Sequence, residues 1–186
     1  MTAGRESQKT SIIDRTLFAD KENFYNDMIL YDVGNKVWIS GMLESDFSFS
    51  HSFLGRKYYK ARLMVKRLSG VTDYVPVVVL ESVFEKMNVD TLCGRYVEII
   101  GRYASHQYFD DDGGRHFEYF VSVKDINICE RAEEDVNCVY LDGYVCHEPV
   151  YRVTPFGRVI TDVTVAIPRE NSKGKDRCWC IAWENF

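Results

Sequence analysis

The sequence predicts an all-β protein in which one strand pattern occurs twice, the second time incompletely. Three observations carry that expectation. Aromatic residues make up 14% of the 186 residues, with twelve Tyr and eleven Phe against four Pro, which suits half-buried strand surfaces. From Lys36 onward apolar and polar residues alternate at period two. The pattern then returns 102 positions later, Gly143 matching Gly41 and Gly157 matching Gly55.

The elements follow in order. Val37, Ile39 and Leu43 alternate with Trp38, Ser40 and Met42 as a first strand, bent or bulged at Gly41. Leu54 and Gly55 mark a turn. Tyr59, Ala61, Leu63 and Val65 form one face of a second strand, and Tyr58, Lys60, Arg62, Met64 and Lys66 the other, so that one face alone reads as core. Tyr74 to Leu80 is a nearly continuous apolar run, a third strand in which Pro76 implies an edge or a bulge. Val83, Phe84 and Met87 fall at helical spacing, in a short helix ended near Gly94. Val97, Ile99, Gly101 and Tyr103 make a fourth strand, Asp110 to Gly114 an acidic hairpin turn, and Phe117, Tyr119, Val121 and Val123 a fifth strand. Three strands, a helix and two strands is the order of the OB-fold, a five-stranded Greek-key barrel.

Subtracting 102 without a gap also pairs Val165 with Leu63, Ile167 with Val65, Arg169 with Arg67 and Ile181 with Val79. Phe186 then matches Phe84, so only the first three strands return. The expected organisation is a tandem OB-fold with an incomplete second unit. An N-terminal segment spans 1–32, the first OB unit 33–128, an acidic linker 129–136 and the second unit 137–186. For the N-terminal segment a tag, a frayed terminus and a docking helix all stay open. The unfinished barrel is expected to leave open edges and an uncovered inner face of Val163, Val165, Ile167 and Ile181.

A net charge of −5 argues against a general nucleic-acid binder, but its distribution matters more than its sum. Arg56 to Arg67 holds six basic residues and no acidic one, whereas residues 129–136 hold Glu130, Glu133, Glu134 and Asp135 against Arg131. The six cysteines follow no framework spacing, and no apolar run approaches the ~18 residues of a membrane span. A soluble, cytoplasmic protein with reduced thiols is expected.

Asn137 to Phe186 resembles the first half of a bacterial single-stranded DNA-binding protein. The likeness rests on Val139-Tyr-Leu-Asp-Gly143, Glu148-Pro-Val-Tyr-Arg152, Thr154-Pro-Phe-Gly157, Val163-Thr-Val-Ala-Ile167-Pro-Arg169 and Trp183. The first half is similar to the leading OB unit of the two-unit version found in clostridia-like bacteria. Phe47-Ser-Phe-Ser-His51, Lys57-Tyr-Tyr59, Val65-Lys-Arg-Leu-Ser69 and Gly101-Arg-Tyr103 carry that similarity. The resemblance implies non-catalytic binding of single-stranded DNA in replication, recombination or repair by an assembly of four OB units, hence a homodimer of this chain near the nucleoid. The family's acidic, partner-docking tip is not supported in this sequence. Its stacking aromatic at the end of the third strand matches Trp183 but falls on Glu81 in the first unit, and its aromatic beside the last hairpin matches Tyr108.

Binding of single strands requires cations along the phosphates and flat side chains under the bases. Tyr58, Lys60, Arg62 and Lys66 share one strand face; a solvated outer face with edge lysines is the competing reading. Arg102 and Tyr108 belong to the fourth strand and its hairpin, where an OB groove often extends. Trp38 faces either DNA, a subunit interface or a buried site. In the second unit Arg152, Arg158, Arg169, Lys173, Lys175 and Arg177 form a sparser basic set, with Trp179 and Trp183 as stacking platforms. The positions matching the cationic face are Ile160, Asp162, Thr164 and Ala166, so the first unit is expected to make more phosphate contacts and the second to rely on its loop from Arg169 to Arg177.

Cys178 and Cys180 share one side of a strand near Cys146 and His147 in sequence, yet no second ligand pair makes a zinc site. Asp110 to Asp112 lack the later ligands of a calcium loop. No phosphate-binding loop or nucleophile elbow is present. Neither a cofactor nor a metal is expected, and the competing class is an OB-fold protein-interaction or assembly module.

Overall fold

Alternating β-branched and aromatic residues build the described part of the chain almost entirely from strands. The computed structural model describes residues 34–67, 69–87, 89, 91–130, 135–169 and 173–183. The N-terminal segment 1–32, the centre of the acidic linker and Phe186 lie outside them. The strands are β1 (Asn35–Leu43), β2 (Ser48–Phe53), β3 (Arg56–Lys66), β4 (Thr72–Leu80), β5 (Tyr96–Phe109) and β6 (Arg115–Ile128) in the first repeat. The second repeat holds β7 (Asn137–Leu141), β8 (Tyr144–Val145), β9 (Val150–Val153), β10 (Val159–Pro168) and β11 (Lys175–Trp183). One short helix, α1 (Glu81–Phe84), runs into a 3-10 turn at Glu85–Met87.

In the first repeat β1 pairs with β3, β3 with β4, β4 with β6, β6 with β5 and β5 with β1, so five strands close on themselves. This is the OB barrel expected from the strand order. Its interior holds the predicted face of β3, with Ala61, Leu63 and Val65 against Val37, Ile39, Leu43, Val77, Val79, Val97 and Ile99. Burying a side chain of this kind contributes about 1.5–3 kcal/mol. Phe47, Phe84 and Leu92 cover one end, and the ring of Phe84 lies 5.5 Å from that of Tyr59. The Asp46 carboxylate fixes the chain after the helix by accepting the amides of Leu92 at 2.5 Å and Cys93 at 2.9 Å.

Strand β2 is an addition to the predicted order. Its Phe and Ser residues lack β-branching, but the two-residue turn Leu54–Gly55 folds it back on β3. Both turn residues have positive φ, 49° and 74°, the twist that a tight hairpin requires.

The repeat is real in three dimensions. A Cβ on Gly41 would stand 2.3 Å from the Met64 carbonyl oxygen, and one on Gly143 would stand 2.4 Å from that of Ala166. These are the same contact displaced by 102 residues, and they explain why glycine occupies both positions. Met42 pairs with Met64 as Tyr144 pairs with Ala166. The gapless alignment needs one correction. Tyr58 pairs with Leu80, but Ile160 pairs with Trp183 rather than with Ala182, so the connection before β11 is one residue longer. Hence Ala182, not Ile181, is the counterpart of Val79, and Trp183 is that of Leu80 rather than Glu81. Ile181 lies opposite Asp162 on the outer face and leaves the expected inner set.

Two-fold symmetry relates the repeats where β1 and β7 pair antiparallel, with Val37 directly opposite Val139. In the second repeat β8, β9, β10 and β11 make a four-stranded sheet, and among the described residues no strand pairs along the outer edge of β11. The inner face is open only in part: Ile167, expected to be uncovered, is 0% exposed, and Val163 and Val165 are half-buried, because β8 and β9 pack along β10. Val139 and Val145 are 45% and 57% exposed, where their counterparts Val37 and Leu43 are 2% and 0%.

Candidate nucleic-acid interface

The outer face of β3 places Tyr58, Lys60, Arg62 and Lys66 in one row, as the alternation requires. Tyr58 stacks on His51 of β2, their ring centres 4.8 Å apart and 7° from parallel. Arg62 pairs with Glu44 and also lies 5.7 Å from the exposed ring of Tyr74 on β4. Lys60 is exposed between these two aromatic groups. Lys66 donates its main-chain amide to Asp135 at 2.6 Å, which pins the described end of the acidic linker to the barrel. His51 and Tyr74 are thus additions to the predicted surface. The period-two phase of β2 and β4 was the available signal, and β2 was not foreseen as a strand.

The hairpin of β5 and β6 extends beyond the barrel. On one side Tyr108 stacks on His116, ring centres 5.4 Å apart, with His106 behind it at 6.3 Å. His116 in turn contacts Asp110 at 2.6 Å, and this contact together with the Gly114 amide holds the Asp110 carboxyl below its ordinary range. On the other side Tyr103, Tyr119 and Phe117 form a second stack. Burial, followed by the neighbouring Cys178, drives the Tyr103 phenol well above the usual range; its hydroxyl donates to the carbonyl of Arg177 at 2.7 Å.

Arg102 and Arg169 do not join the aromatic row; both turn onto Asp176. Arg169 donates at 2.7 Å and Arg102 approaches to 3.6 Å. Asp176 also accepts the Ser105 amide at 2.9 Å, and its residue is only 1% exposed. The carboxylate therefore fastens the start of β11 to β5, using cations that the sequence suggested for phosphate. An acidic residue inside the run from Lys173 to Arg177 was the signal for it. Trp38 is buried too, paired with Ile100 and Cys138 on the sheet side opposite Val37.

Strand β11 supplies what its neighbour β10 lacks. Lys175, Arg177, Trp179, Ile181 and Trp183 alternate along one face, and Trp179 and Trp183 are 60% and 53% exposed. Arg158 lies 5.8 Å from the Trp183 ring, and Lys175 lies 5.9 Å from that of Tyr144. Arg152 forks onto Asp162, and Lys173 is exposed in the preceding loop. The outer face of the second repeat thus brings together Lys175, Arg177, Trp179 and Trp183 from the basic and aromatic set read in the sequence, and its cations stand on β11 rather than at the β10 positions that match the β3 row.

Beneath β11 the thiols of Cys178 and Cys180 lie 3.7 Å apart, and burial followed by the neighbouring thiol pushes Cys178 up to about 11. Among the described residues no group of three His, Cys, Asp or Glu side chains is placed to hold a metal ion. Between the β5–β6 hairpin and the second repeat lies a cleft of about 520 Å³, lined among others by Gln107, Phe117, Tyr144, Lys175 and Arg177. No helix among the described residues is long and apolar enough to cross a membrane.

No family model matches the sequence. No curated protein matches it either. Among solved structures, the wild-type single-stranded DNA-binding protein of Thermus aquaticus superposes with a TM-score of 0.65 at 23% identity, covering 80% of this chain and 73% of that one. A deletion variant of that protein gives 0.63 at 22% identity, over 80% of this chain and 75% of the other. The N-terminal domain of PriB from Thermoanaerobacter tencongensis gives 0.43 at 28% identity, over 53% of this chain and all (100%) of that one. The architecture of this chain, a closed OB barrel followed by the opening strands of a second, is therefore an OB-type fold like that of the Thermus aquaticus single-stranded DNA-binding protein.

Proposed function

We propose that this protein binds single-stranded DNA without catalysis and without strict sequence preference. The observation that carries the reading is the outer face of β11, where two cations and two exposed tryptophans alternate on one surface. Exposing two indole rings to water is unfavourable, and stacked bases are their natural cover, while Lys175 and Arg177 meet phosphates. The row of Tyr58, Lys60 and Arg62, with His51 and Tyr74 beside it, offers the same chemistry on the first repeat. Lys66, Tyr108, Arg158 and Lys173 extend the two surfaces. Arg102, Arg169 and Arg152 support them through carboxylates. The fold of the Thermus aquaticus protein supports this reading, as does the motif resemblance. The finer reading is a two-unit protein, 33–128 and 137–186 joined by 129–136, acting in bacterial replication, recombination or repair near the nucleoid.

The motif resemblance supports a second element of the proposal, a dimer contributing up to four OB units, and an OB-fold assembly module with little DNA binding is the competing reading. Anisotropy of a labelled oligo-dT separates DNA binding from a purely assembling role. The proposal expects a saturable rise that unlabelled single strands abolish and duplex does not. A protein that stays folded and gives no rise at low salt leaves only the assembly role.

A further inference from the structure

We propose that the cleft between the β5–β6 hairpin and the second repeat is a nucleotide subsite, through which one DNA strand crosses from the first repeat's face to the second's. This rests on the single-strand reading above and adds a location that neither repeat has alone.

The cleft's volume of about 520 Å³ is that of a small-ligand site rather than of a packing defect. Its walls belong to different repeats. Phe117 and Gln107 come from the hairpin, and Tyr144, Lys175 and Arg177 from the second sheet. Phe117 and Tyr144 both line the gap, and an aromatic lining suits a flat base. The Gln107 amide both donates and accepts, so it pairs with any base edge without selecting one. Lys175, set over the Tyr144 ring, and the exposed Arg177 bring positive charge to the place where the adjoining phosphates lie.

Position strengthens the chemistry. Lys175 and Arg177 open the row that runs on to Trp179, Ile181 and Trp183, so a strand leaving the cleft continues along the stacking surface of β11. The walls are also held in place before any ligand arrives. Asp176 joins the Ser105 amide to Arg169 and Arg102, and Tyr103 grips the Arg177 carbonyl. A preformed gap loses less entropy on binding. Asp176 is in this sense a positioning residue, since it touches the walls and not the nucleotide.

If the strand crosses here, the cleft couples two weaker surfaces, and its effect appears only with oligomers long enough to use both. The experiment compares oligo-dT of about 8 and about 35 nucleotides on the wild type and on a Phe117→Ala, Tyr144→Ala double variant, since one OB unit occupies about 4–16 nucleotides. The double variant is expected to lose about tenfold in affinity for the long oligomer and less than about twofold for the short one, the avidity having been removed. Equal affinities of variant and wild type for the long oligomer overturn the subsite and leave the single-strand reading standing. Absence of binding at either length by the wild type overturns the reading itself. Photo-crosslinking of bromodeoxyuridine-substituted oligomers to the wild type covers the case of a misfolded variant. Adducts on Phe117 or Tyr144 support the crossing, and adducts confined to Tyr58, Trp179 and Trp183 contradict it.

Discussion

Val37 and Val139 face one another across the β1–β7 ladder, and each is the other's counterpart in the repeat, 102 residues apart. An antiparallel pair centred on equivalent residues is the isologous contact of a symmetric dimer, made here within one chain. It puts a closed barrel beside an open sheet in a fixed orientation. It also lets the same substitution be examined in a closed barrel and in an open sheet.

The glycine pair gives the first such comparison. Gly41→Ala forces a methyl group against the Met64 carbonyl, and Gly143→Ala does the same at Ala166. Overpacking of this kind costs about 1–3 kcal/mol. The closed barrel cannot relax, whereas the open sheet can shift, so urea unfolding is expected to show the greater loss for Gly41→Ala. Equal losses would mean that the second sheet is held as firmly as the first.

Leu54 offers a gain. Its side chain is almost wholly exposed, and its φ of 49° is one that leucine adopts at a cost. Asn accepts that conformation readily, so Leu54→Asn is expected to stabilise by about 1 kcal/mol in thermal unfolding. Its counterpart Phe156 has no positive φ, because among the described residues of the second repeat Gly157 alone takes that geometry, and Phe156→Asn should not gain in the same way. A gain at both positions would point to relief of exposed apolar surface instead.

Much of this arrangement was legible in the sequence, and the reasons are physical. Alternation fixed the inner and outer faces of β3, because a strand cannot rotate one residue without exposing Leu63 and Val65. The repeat was legible because Gly41 and Gly143 meet the same steric demand. What escaped was set by distant partners. Strand β2 depends on its turn and on β3 rather than on its own propensity, and the extra residue before β11 shows only in the pairing of Ile160 with Trp183. A charge count identifies Arg102 and Arg169 as cations but does not reveal that Asp176 claims them.

That claim is testable. Asp176→Ala leaves the Ser105 amide without its acceptor and two guanidinium groups without their carboxylate. Removing one partner of a buried pair costs 3–5 kcal/mol, and the partly exposed Arg169 lowers this to about 3 kcal/mol. Denaturant unfolding should show a loss of that order. A change within about 0.5 kcal/mol, as at an ordinary surface site, would show that the units are joined by other contacts.

Acid should act through Asp46. The amides of Leu92 and then Cys93 hold its carboxyl below the usual carboxylate range, so the folded state favours the ionised form. Its contribution is complete above the unfolded value and disappears as pH falls through the lower folded value. Asp46→Asn, which keeps an acceptor but cannot titrate, is therefore expected to melt below wild type at neutral pH, with the gap closing as the pH falls below the carboxylate range. A gap independent of pH would assign the loss to geometry rather than to charge.

The central claim is that the outer face of β11 holds single-stranded DNA, and tryptophan fluorescence during an oligo-dT titration at several salt concentrations tests it most directly. Quenching should be largely lost in a Trp179→Phe, Trp183→Phe variant, which keeps ring area but removes the reporters. Each phosphate neutralised contributes ~0.7 to the slope of log affinity against log salt, so Lys175→Ala with Arg177→Ala should reduce its magnitude by about 1.4. A folded double variant with an unchanged slope, or a wild type whose tryptophans are not quenched at saturation, would contradict the account.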